Sequence, residues 1–293
     1  MTTTTRYNID TCSMIVEFNA SVWTARKLDK TATDEVVHSK NAGAKDAARV
    51  NKHLLAGRNE LDVIQKHVNA TRTYVYSMTL PWSDSGQRLL PTSKFLEFNE
   101  RMDEENDKFW KLVNDFVDVY PSLITAQAMA LGDMFNRNDF PSQAEIAAKF
   151  DFTVGFLPVP TFGDFRIDVG NEAQKELQEK LESLTAARVD AAMRDIKEKL
   201  MDHLKRVSDR LTVDYINGEA VTRKFHNSLV EGGLELCDMV KSLNIVGDAQ
   251  LEAARLGLEK ALLNVDAKEL RTNSHTRADV KSQVDDILSK FSW

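Results

Sequence analysis

From Asn171 to Asp214 the chain runs without one proline or glycine. Leu177, Leu181 and Leu184, then Met193, Ile196, Leu200, Leu204, Val207 and Leu211, recur in steps of three and four. That spacing lines one face of an α-helix with a coiled-coil-like seam. Charges such as Glu176, Lys180, Glu198 and Lys205 fall on the other faces. Unbroken, such a helix spans about 65 Å at ~1.5 Å per residue. Glycine (12) and proline (6) are scarce across all 293 residues, which extends the helical expectation to the whole chain.

The remaining segments fill in around this helix. Phe95, Phe98, Met102, Phe109, Leu112, Val113, Phe116 and Tyr120 predict another long helix over residues 92–131, kinked or divided at Pro121. Leu61, Ile64 and Val68 predict one over 59–74. Thr33-Asp34-Glu35 offers a cap for a helix running toward Ala56, with Gly43 as an interruption. Ser142 to Phe150 reads as a short helix behind Pro141. Further helices are expected at 219–242, 248–263 and 278–290, with linkers near Asn217-Gly218, Asn244–Gly247 and Arg271–Thr276. Two β-prone segments stand apart in sequence. They are residues 12–18, and residues 153–167 with their bends at Pro158, Pro160 and Gly163. Pro81, Gly86 and Pro91 make 79–91 an ordered loop or hairpin. The fold class is therefore mainly α with a minor β element (α+β). Long antiparallel helices accompany a small sheet from residues near 12–18 and 153–167. The expected division is an N-terminal helical region with the small sheet, 1–170, whose basic charge is concentrated in 21–94, and an acidic long-helix region, 171–293.

No run of 18 apolar residues exists, so no membrane-spanning helix and no membrane partner are expected. The Thr-rich start has no apolar stretch behind it, so no secretory signal is expected. Cys12 and Cys237 are too few for a disulfide framework, which fits a reducing, cytoplasmic setting. The net charge of −7 argues against a protein that coats nucleic acid by bulk charge. The distribution is uneven: residues 21–94 carry 12 basic and 7 acidic groups, whereas 95–293 carry 25 basic and 36 acidic. A basic section on an acidic body points to nucleic-acid contact by one part of the chain.

Catalytic signatures are missing from the sequence. There is no phosphate-binding loop, no Gly-x-Gly-x-x-Gly, no His-Glu-x-x-His and no Gly-x-Ser-x-Gly. The six histidines never stand four apart and read as surface residues; Met129, Met134, Met193, Met201 and Met239 read as core filler. No enzyme activity, metal or cofactor is expected.

Single-strand binding needs cations for phosphates and aromatic faces for bases. The basic section offers both. Trp23, Arg26, Lys27 and Lys30 cluster after the first strand. Lys45, Arg49 and Lys52 stand at i, i+4 and i+7, one stripe if that segment is helical. Arg72, Tyr74 and Tyr76 alternate, and Trp82 and Arg88 sit in the Pro/Gly-bounded loop, a place to expose a ring. Each group also has an ordinary reading, as half-buried anchors or a solvated helix face. The C-terminal run Val284–Trp293 reads as an amphipathic helix packing Ile287, Leu288 and Phe291.

The strings Val22-Trp-Thr-Ala-Arg-Lys-Leu-Asp-Lys30 and Leu80-Pro-Trp-Ser-Asp-Ser-Gly-Gln-Arg-Leu-Leu-Pro91 precede a long charged helical region. With it they resemble a family of uncharacterised bacteriophage proteins, over roughly residues 10–260. Within that family the chain is similar to the single-stranded-DNA-binding RNA-polymerase cofactors of phages that carry a giant virion RNA polymerase. The resemblance implies a non-catalytic protein of the infected bacterial cytoplasm. It would bind melted promoters and recruit a phage RNA polymerase without using an OB barrel. It assigns no functional positions. The competing expectation is a helical assembly or adaptor module, working beside a partner such as an ATPase or as a homo-oligomer, with no nucleic-acid role.

Overall fold

The computed structural model describes residues 9–44, 46–160, 171–216 and 219–291. It is 66% helix and 13% strand, mainly α with a minor β element. Its first half contains α1 (Ile9–Cys12), β1 (Ser13–Ser21), β2 (Arg26–Leu28), α2 (Lys30–Ser39), β3 (Asn51–His53), α3 (Glu60–Met78), β4 (Leu80–Pro81), β5 (Arg88–Pro91) and α4 (Phe95–Leu131). Then come α5 (Gln143–Ala147), β6 (Asp151–Pro158), α6 (Asn171–Leu211), β7 (Val213–Ile216), β8 (Glu219–Thr222), α7 (Ser228–Leu243), α8 (Ala249–Leu262), α9 (Ala267–Thr272) and α10 (Ser274–Lys290).

One sheet has the order β4-β5-β1-β6. β1 and β6 are the two distant segments expected to pair; positions 161–167 of the second lie outside the described residues. β5 runs antiparallel to β1, from Ser13 opposite Pro91 to Val16 opposite Arg88. The 79–91 segment is the hairpin β4–β5, with Gly86 at φ 92° in its turn. Two further ribbons are β2–β3 and β7–β8.

The chain divides into two compact units, each assembled from separate stretches. The first holds residues 1–17, 75–98 and 155–293, and the second 18–74 and 99–154. This differs from a division at residue 170, because pairing and packing rather than chain order group the segments.

In the first unit α6 supplies the spine of the core. Ile196, Leu200, Leu204 and Val207 are fully buried with Val240 of α7, Leu251 and Leu258 of α8, and Val280 and Val284 of α10. Ile287 joins this core, and Leu288 and Phe291 pack on its edge as the C-terminal periodicity predicts. The earlier part of the α6 seam behaves differently: Leu177 and Leu181 are half-buried and Leu184 is 47% exposed. The single helix expected over 219–242 is corrected to β8 followed by α7. The linker expected near Asn217-Gly218 lies outside the described residues; in sequence it is the dipeptide type that joins hairpin strands. The strands on either side pair from Val213 opposite Thr222.

In the second unit Phe109, Val113, Phe116 and Tyr120 of α4 are buried, together with Ile64 and Val68 of α3. Pro121 does not divide α4. Proline lacks the N–H that would bond the carbonyl four residues back, here Val117. The Gln143 side chain donates to that carbonyl instead, at 2.8 Å. α2 begins earlier than the Thr33 signal suggests, capped by Asp29, whose side chain accepts from the Ala32 N–H at 3.0 Å. It stops at Ser39, and Asn41 follows in the left-handed region at φ 50°, so no helix reaches Ala56.

Two residue-type expectations are also corrected. Met129 is 91% exposed and Met134 is exposed, so neither fills a core, although Met193 is buried. His203 is buried, not a surface histidine, because α6 turns it toward α7.

Candidate nucleic-acid interface

The twelve residues singled out by charge and aromaticity meet different fates. In the second unit, Lys52 is corrected most sharply. Residues 46–50 are not helical and Lys52 lies in β3, so Lys45, Arg49 and Lys52 form no helical stripe. Lys45 itself lies outside the described residues. The Lys52 side chain is only 8% exposed, 2.5 Å from Asp139 and 3.5 Å from Asp29. It also donates to the Met134 carbonyl at 2.9 Å. Its hydrogen bond to Asp139 raises its pKa, against a burial effect that lowers it. Burial alone would raise the Asp139 pKa, but hydrogen bonds from Lys52 and Lys27 hold it low. Lys27 reaches the same carboxylate at 2.9 Å. This cluster is a neutralised structural site, with no charge left over for a phosphate.

Trp23 packs edge-on against Tyr120, with ring centroids 5.8 Å apart, and leans on Phe116. Arg72 lies 6.0 Å from the Phe18 ring, and Arg101 lies 5.8 Å from the half-buried Tyr74 ring. Both aromatics are anchors. Arg26, Lys30 and Arg49 remain exposed, with no ion pair among the described residues.

In the first unit Trp82 is 3% exposed. Its hairpin folds onto α6, and Arg188 of that helix lies 5.4 Å from the indole. The Pro/Gly-bounded loop therefore buries its ring. Tyr76 keeps an accessible ring, 49% exposed, with the Arg88 guanidinium 4.4 Å from its centroid. Arg88 is fixed there by donating to the Thr79 hydroxyl at 2.6 Å and the Thr79 carbonyl at 2.9 Å.

The strongest cationic concentration lies elsewhere in this unit, in the acidic part of the chain. Arg206 and Arg210 stand one turn apart near the end of α6, both exposed. Arg210 Nη1 donates to the Lys224 carbonyl at 3.4 Å. From α9, Arg271 Nη2 donates to the Phe225 carbonyl at 3.1 Å and to Asn227 Oδ1 at 2.6 Å. Two arginines thus hold the segment joining β8 to α7, which presents Lys224 and His226. The Phe225 ring has the guanidinium groups of Arg271 and Arg277 at 5.2 and 5.9 Å from its centroid. Arg223 is the exception, since Asp209 and Asp214 neutralise it. Arg206, Arg210, Lys224, Arg271 and Arg277 have no carboxylate within ion-pair distance among the described residues.

Arg277 shows how unusual this is. Arg255, similarly buried, is gripped by Glu252 and Glu259, each at 2.7 Å, which raises its pKa further. Arg277 is 3% exposed, donates through Nε to the Leu270 carbonyl at 2.8 Å, and leaves Nη1 without a hydrogen-bond partner. Its pKa is lowered by burial, with no acid opposing. Two adjoining cavities, about 470 and 270 Å³, share Lys224, Phe225 and His226 in their walls. The smaller is also lined by His203, whose Nε2 is buried and unpartnered.

Sequence reasoning passed over this surface because charge was averaged across 95–293. The signal was present as Arg223-Lys-Phe-His226, a cation-aromatic run of the kind sought nearer the N-terminus. Among the described residues no group of three or more His, Cys, Asp or Glu is placed to hold a metal. No described helix is long and apolar enough to cross a membrane. No family model, curated protein or solved structure matches the chain.

Proposed function

We propose that this protein is a non-catalytic single-stranded DNA-binding protein whose phosphate contacts come from Arg206, Arg210, Lys224 and Arg271. One observation carries the reading: four exposed cations lie on and around one backbone segment and none of them is ion-paired with a carboxylate among the described residues, in a chain whose net charge is −7. Cations released from internal pairing are available to displace counterions from a phosphate backbone. The exposed Arg26, Lys30 and Arg49 of the second unit offer additional phosphate contacts, and Tyr76 offers a ring for stacking. The finer reading is a transcription cofactor that holds a melted promoter strand and recruits a phage RNA polymerase. It rests on the resemblance alone.

The test is fluorescence anisotropy with a labelled single strand, its duplex and an RNA of the same sequence, at several salt concentrations. Binding strongest to the DNA single strand and falling steeply with salt is expected. Arg206→Ala with Arg210→Ala removes two contacts, and each contact to a single strand contributes about 0.7 to the log–log salt slope. The slope therefore drops by roughly 1.4. No binding at low salt, or an unchanged slope, overturns the reading.

The early α6 seam supports a second reading, an assembly module. Leu177, Leu181 and Leu184 continue the heptad-like pattern, yet the core does not bury them. A molar mass by light scattering that stays monomeric at all concentrations counts against self-association through that seam.

A further inference from the structure

We propose that the larger of the two cavities seats a terminal phosphate, a phosphomonoester group, with Arg277 beneath it and Lys224, His226 and Arg271 around it. The proposal rests on the single-strand reading for its ligand and on the cavity's own chemistry for its location.

The cavity, about 470 Å³, is large enough for a nucleotide. Its lining consists of Thr222 and Phe225 with five cationic or titratable basic groups, and no carboxylate. Arg223 carries its own carboxylates and contributes little net charge. The other cations have no carboxylate within ion-pair distance among the described residues. Burying a charge without a counter-ion costs several kcal/mol, so buried arginines normally carry acidic partners, as Arg255 does here. Arg277 is as deeply placed and has none among the described residues. An anion arriving from solution supplies that missing partner.

The charge count favours a strand end over a strand interior. An internal phosphodiester carries one negative charge, whereas a terminal phosphate carries close to two at neutral pH. Several uncompensated cations around one cavity gain most from the dianion. A strand end also enters a cavity that a continuous strand would have to leave again. The adjoining smaller cavity, walled by Arg206 and Arg210 and sharing Lys224 and Phe225, provides a path for the nucleotides that follow.

The experiment compares three 12-nucleotide strands of one sequence, with a 5′-phosphate, a 3′-phosphate or hydroxyls at both ends. Pyrophosphate and a nucleoside monophosphate serve as competitors and as ligands in thermal-shift assays. The proteins are wild type, Lys224→Ala, Arg277→Lys and Arg277→Gln. A terminal phosphate should tighten binding at least tenfold. Lys224→Ala, on an exposed side chain, should cut that preference several-fold without altering the fold. Arg277→Lys should keep part of the preference and Arg277→Gln lose it. Equal affinity for all three strands, with no protection by pyrophosphate, overturns the phosphate seat and leaves strand binding standing. A terminal-phosphate preference untouched by Lys224→Ala and Arg277→Gln overturns this location. Protection by pyrophosphate or the monophosphate that Lys224→Ala abolishes, with no strand binding at any salt, keeps the seat and overturns the strand reading. No response to any phosphate ligand overturns both.

Discussion

Gly232 and Gly233 are neighbours on α7, and the same substitution at each should move stability in opposite directions. A Cβ placed on Gly232 meets nothing within 4 Å. There the change to alanine removes glycine's backbone entropy cost and gains about 0.5–1 kcal/mol. A Cβ on Gly233 falls 2.4 Å from Leu262 Cδ1 and 2.8 Å from His203 Nε2. Ordinary contact needs about 3.5–4 Å, so both neighbours must withdraw by roughly 1 Å. They come from different helices, α8 and α6, and both are buried, so neither moves freely. Overpacking of this kind costs typically 1–3 kcal/mol. Two such contacts with buried side chains put the cost in the upper part of that range, about 2–3 kcal/mol, so against a helix gain of about 1 kcal/mol Gly233→Ala should lose roughly 1–2 kcal/mol net. With about 2–4 °C per kcal/mol for a unit of this size, the two variants should melt several degrees apart, on opposite sides of wild type. Urea midpoints and thermal melts followed by circular dichroism measure this directly. Adding Leu262→Ala to Gly233→Ala should show favourable coupling, because the shortened side chain makes room for the new methyl. Gly233→Ala melting at or above Gly232→Ala would refute the packing argument.

Two further outcomes follow from buried ionisable groups. Asp139→Asn removes the main partner of Lys52 but leaves Asp29 at 3.5 Å, so the second unit should lose about 3 kcal/mol, the low end for breaking a buried pair, read as a lower urea midpoint. In wild type the lowered Asp139 pKa gives stability that is present above the ordinary carboxylate range and is lost as pH falls through the folded value, and the variant should lack that acid-side loss. His203 has its pKa lowered from 6.5 by burial and by the Arg206 charge, partly opposed by the Leu229 backbone. The unfolded chain therefore takes up the proton first, and stability falls as pH drops below about 6.5. His203→Gln should flatten that pH dependence, and an equally steep profile in the variant would assign it to another group.

The local patterns of this chain were decided by the sequence itself. The Pro- and Gly-free run with its three-and-four spacing dictates α6, and the aromatic ladder from Phe95 to Tyr120 dictates α4. Such periodicities act over one or two turns and need no distant partner. The β-prone character of residues 13–18 and 153–158 was legible too, as was the turn chemistry of 79–91. Which cations stay free was not legible. Lys52 is neutralised by Asp139, 87 positions away, and Trp82 is buried by a helix that begins near residue 171. Conversely, Arg206, Lys224, Arg271 and Arg277 come from four separate stretches of an acidic region. Only folding brings them to adjoining cavities without their carboxylates. The reason is range: hydrophobic periodicity is a property of neighbours along the chain, whereas charge compensation is a property of neighbours in space. The tertiary structure alone settles that second set.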